Sequence, residues 1–88
     1  MKIMFNNQQL YDYLLSFSSE LGKRGLKEMS DSVLFASRHA SGISTEFLGE
    51  SRIALRHVLQ QAGGRLTDQE RDDVQNVLKQ LDTALDKR

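Results

Sequence analysis

Apolar residues return along this chain at intervals of three and four. Leu10, Leu14, Phe17 and Leu21 recur at +4, +3, +4, and Leu26, Met29, Val33, Ala36 and Ala40 at +3, +4, +3, +4. Phe47, Ser51, Ala54, Leu55, Val58 and Ala62 line a third face, and Val74, Val77, Leu78, Leu81, Ala84 and Leu85 a fourth. These are helical periods, and no segment alternates strictly enough to compete as a strand. The chain has no proline, and glycines at 22, 25, 42, 63 and 64 divide it instead. It therefore reads as helices joined by short glycine turns. The pattern predicts an all-α domain with helices at about 7–24, 27–40, 45–62 and 68–86. Connections this short place successive helices antiparallel, as in a small four-helix bundle-like domain covering 1–88.

The helix ends carry local signals of their own. Asn6 is a good N-cap, Gln9 stands three residues on, and Phe5 with Leu10 occupies the two positions of a hydrophobic staple. Gly25 is expected as the left-handed residue closing the first helix, which pairs Leu21 with Leu26 across a Schellman turn. Ser44 is expected to cap the third helix, with Ile43 and Leu48 as a second staple, and Thr67 with Glu70 forms a capping box for the fourth. Leu14, Val33, Leu55, Val58 and Leu81 should then be nearly buried.

Composition narrows the class. Hydrophobic residues make up 39% and charged residues 27% of 88, and mean hydropathy is −0.49. That describes one small globular domain with a single core. Twelve basic residues balance twelve acidic ones, which weakens the case for a surface living on nucleic-acid phosphates or anionic lipid. The absence of cysteine removes a disulfide framework, a thiolate metal site and a cysteine nucleophile together. No apolar run approaches the roughly 20 residues of a membrane span. The opening MKIMFNNQQ has no signal-peptide apolar region, so a cytoplasmic protein is expected.

Candidate chemistry is sparse. The most concentrated polar stretch, residues 37–52, brings Arg38 and His39 near the N-terminus of the third helix, an arrangement that in principle holds an anion. Ordinary capping by Ser44 accounts for it better. Glu46, Glu50 and His57 share one side of the third helix, yet Glu50 and His57 lie two turns, about 10 Å, apart. No metal and no cofactor is expected. There is no Gly-rich phosphate loop, no G-x-S-x-G and no H-E-x-x-H. A bundle this small should also leave little room for a pocket of roughly 300 Å³, and an enzyme is not expected. Asp68, Asp72, Lys79, Asp82 and Asp86 fall opposite the apolar stripe of the fourth helix and read as its solvated outer face.

What stands out is apolar side chains set off the core face. On a wheel of 100° per residue, Phe35 projects roughly 140° from the second helix's core arc and Ile53 roughly 160° from the third's. Tyr11 and Leu15 lie roughly 100–140° from the first helix's stripe. Two accounts compete for Phe35 and Leu15, a second side of the core, which is the one expected first, and a contact surface; Ile53 is expected to belong to an interface. The expected partner surface comprises Ile53, Phe35, Tyr11, Leu15, Arg52, Arg56, Glu46 and Glu50. The corresponding role is a small non-enzymatic interaction module, either a homodimer or an adaptor- or immunity-type binder of one protein. A nucleic-acid-associated regulator is the alternative, resting on Lys23, Arg24 and Lys27 at the first turn and on Arg52 and Arg56. The likeness to immunity proteins, antitoxins and chaperone-like adaptors is one of size and class alone.

Overall fold

The computed structural model describes residues 6–42 and 44–86, and helix accounts for 91% of them. Four α-helices follow in order: α1 (Asn7–Lys23), α2 (Lys27–Ser37), α3 (Ser44–Ala62) and α4 (Asp68–Asp86). Two short 3₁₀ turns, Arg38–Ser41 and Gly63–Arg65, follow α2 and α3. Among the described residues there is no strand. The radius of gyration is 12.0 Å, the value of about 12 Å expected for a single domain of this length. The expected all-α, four-helix bundle-like architecture is therefore what the chain adopts.

The helix ends follow the local signals closely. Asn6 Oδ1 accepts the Gln9 N–H at 2.8 Å while Gln9 Oε1 accepts the Asn6 N–H at 3.0 Å, a complete capping box. At the other end of α1, Gly25 takes φ +80°. The Leu26 N–H bonds Leu21 O at 3.0 Å, and the Gly25 N–H bonds Gly22 O at 3.1 Å. These are the two bonds of a Schellman turn. Leu26 then serves as N-cap of α2 without a side-chain bond. The second capping box is also complete, with Thr67 Oγ1 accepting the Glu70 N–H at 3.1 Å and Glu70 Oε1 accepting the Thr67 N–H at 2.9 Å.

Three expectations need correction. The second helix ends at Ser37, not at 40, and continues as the 3₁₀ turn Arg38–Ser41. Ser37 is buried and its hydroxyl donates to Leu34 O at 2.6 Å, which tightens the last turn toward 3₁₀ geometry. Ser44 is the first residue of α3 instead of the cap before it, and its Oγ accepts from Asn7 Nδ2 at 2.9 Å, joining the starts of α1 and α3. Ala84, counted on the apolar face of the fourth helix, is exposed. The staples of Phe5 on Leu10 and of Ile43 on Leu48 lie outside the described residues.

The core holds Leu10, Leu14, Phe17 and Leu21 of α1, Met29, Val33 and Ala36 of α2, Phe47, Ala54, Leu55, Val58 and Ala62 of α3, and Val74, Leu78 and Leu81 of α4. Leu14, Val33, Leu55, Val58 and Leu81 are completely inaccessible, as the spacing predicts. Leu66, between the last two helices, completes the cluster. Buried Ser51 satisfies its hydroxyl on Phe47 O at 2.7 Å, so it needs no partner across the bundle.

Each helix packs mainly on its neighbour in the chain. Ser18 Oγ donates to Ser30 O at 2.9 Å and Ser30 Oγ to Ser18 O at 2.8 Å. Gly22, one turn further along α1, leaves room for this approach, since a Cβ there would stand 3.3 Å from Ser30 Oγ. Arg52 and Arg56 of α3 share Asp82 Oδ1 of α4 at 3.1 and 3.0 Å. Arg71 donates to Gly63 O at 2.9 Å and Leu66 O at 3.2 Å and pairs with Asp68, closing the α3–α4 turn. Across the ring, Arg24 grips Glu70 with two bonds of 2.6 and 2.5 Å.

Candidate docking groove between α2 and α3

α2 presents Asp31, Ser32 and Phe35, and α3 presents Glu50, Ile53, Ala54 and His57, to one open groove of about 430 Å³. The helical repeat explains the membership. Phe35 lies four residues from Asp31 and three from Ser32, and Glu50, Ala54 and His57 lie one turn or less from Ile53, so each set shares one helix face. Phe35 is 55% exposed and Ile53 62%. They are the large apolar side chains left exposed among the described residues. The expectation that Phe35 wraps into the core is therefore overturned. The core side of α2 is already filled by Met29, Val33 and Ala36, and Phe35 turns outward onto His39, ring edge to ring face at 5.1 Å and 73°. That contact holds the phenyl ring in place beside the groove.

The expected partner surface divides in space. Phe35, Ile53 and Glu50 come together. Tyr11 is half-buried against the core and lines a different groove of about 340 Å³ with Asn7, Gln8, Ser37, Arg38, Ala40 and Ser41. Leu15 is half-buried on α1. Arg52 and Arg56 turn toward Asp82 of α4, so Asp82 is drawn out of the solvated face assigned to it. Glu46 is exposed in the first turn of α3. The volumes exceed the roughly 300 Å³ thought too large for this bundle, but the grooves are open troughs along helix seams.

One residue beside the groove, outside its lining, escaped the sequence reading. Gly49 stands one turn before Ile53, in the interior of α3, and a Cβ built on it meets nothing within 4 Å. No contact among the described residues calls for a glycine there. Its signal was available, since an interior glycine costs about 1 kcal/mol of helix propensity. Glu50, half-buried at the rim, has no hydrogen-bond or ion-pair partner among the described residues. Asp31 is held by Lys27 at 3.1 Å.

Perturbed acid–base chemistry sits elsewhere, along the α1–α4 seam. Tyr13, Ser16, Phe17, Glu20, Glu70 and Asp73 line a groove of about 210 Å³ there. Burial pushes the Tyr13 phenol well above its ordinary value, and the nearby carboxylates of Asp73 and Glu70 push it further. Its hydroxyl oxygen is buried without a partner among the described residues, and its ring stacks on Phe17 at 5.6 Å. Glu70 is held below its ordinary value by the Arg24 guanidinium first and by the Thr67 N–H as well, against the opposing effect of burial. These shifts have structural causes: a stacked phenol and a capping ion pair. Among the described residues, no group of three or more His, Cys, Asp or Glu is placed to hold a metal ion. No helix among them is long and apolar enough to cross a membrane.

Comparison with known protein families, with curated proteins and with solved structures returns no match.

Proposed function

We propose that this chain is a small non-enzymatic protein-interaction module that receives its partner in the α2–α3 groove. The observation that carries the reading is the meeting of Phe35 and Ile53, one from each helix, in a single open trough. One exposed isoleucine is ordinary. Two large apolar side chains lining one groove, together with Glu50, Asp31 and His57, have the apolar centre and polar edge of an interface. The basic residues behind the nucleic-acid alternative are engaged with acids: Lys23 with Glu20, Arg24 with Glu70, Lys27 with Asp31, and Arg52 and Arg56 with Asp82. That arrangement favours a protein partner over a phosphate backbone.

The test is site-specific photo-crosslinking in cells, with a benzophenone side chain at position 53 or 35 and, as control, at exposed Ser19 on α1. Discrete adducts are expected at 53 and 35 and not at 19. The protein identified in the adduct should then bind Ile53→Glu about tenfold or more weakly than the unsubstituted chain in calorimetry. Equal crosslinking at all three positions, or unchanged binding by a folded Ile53→Glu, overturns the reading.

A further inference from the structure

We draw no further inference here: the strongest candidate, the apolar pair Phe35 and Ile53 in the open groove between α2 and α3, belongs to the docking surface already described, and nothing in the structure shows what covers it.

Discussion

Replacing Thr67 with alanine deletes the hydroxyl that accepts the Glu70 N–H at 3.1 Å at the start of α4. Side-chain caps of this kind are worth about 0.5–2 kcal/mol. Thr67 is exposed, so water can reach the freed N–H, and the reciprocal bond from the Thr67 N–H to Glu70 Oε1 survives. Both facts place the loss near the middle of that range, about 1 kcal/mol. In a domain of this size that is about a fifth of a total stability near 5 kcal/mol, and the melting temperature should fall by about 4–8 °C. Thermal melts followed by circular dichroism at neutral pH read the difference directly. A companion variant, Glu70→Gln, keeps an acceptor for the Thr67 N–H but removes the charge gripped by Arg24. The folded carboxyl is held below its ordinary value of 4.5. The stabilisation from its charge is therefore fully present above that value and is lost as pH falls through the lowered one. The gap in melting temperature between the natural chain and Glu70→Gln should be constant near neutrality and close in acid. An unshifted melt for Thr67→Ala, or a gap that widens on acidification, refutes the reasoning.

Truncating Leu14 or Leu81 to alanine, each completely inaccessible in the core, should cost about 2–5 kcal/mol in urea denaturation; a cost well under that would mean that the helices are not packed as described. Tyr13→Phe removes a buried hydroxyl without a partner among the described residues. Stability should be unchanged or rise by about 1 kcal/mol, and a clear loss would reveal a partner for that oxygen.

Features that depend on neighbours three to five residues apart were legible in the sequence. The Asn6–Gln9 and Thr67–Glu70 boxes and the Leu21–Gly25–Leu26 turn are complete within their own few residues, so no knowledge of the bundle is needed to find them. The buried faces were equally legible, because one stripe per helix met the core. What could not be read is how neighbouring helices are rotated and offset. The wheel marked Phe35 and Ile53 as off their core arcs, but only the α2–α3 packing sets them in one groove. Arg52 and Arg56 looked like rim charges until α4 brought Asp82 to them from 30 and 26 residues away. The place of Tyr11 could not be read for a related reason. A helix packed against more than one neighbour half-buries residues that a single stripe leaves outside.

The packing of each helix on its chain neighbour also sets the order in which the molecule can assemble. Loops of a few residues close at little entropic cost, and topologies rich in local contacts fold on the microsecond-to-millisecond scale. The α1–α2 hairpin needs only its three-residue connection and the Ser18–Ser30 exchange to find its register. The Arg24–Glu70 clasp joins residues 46 apart, so closing it costs more loop entropy than closing either neighbouring hairpin.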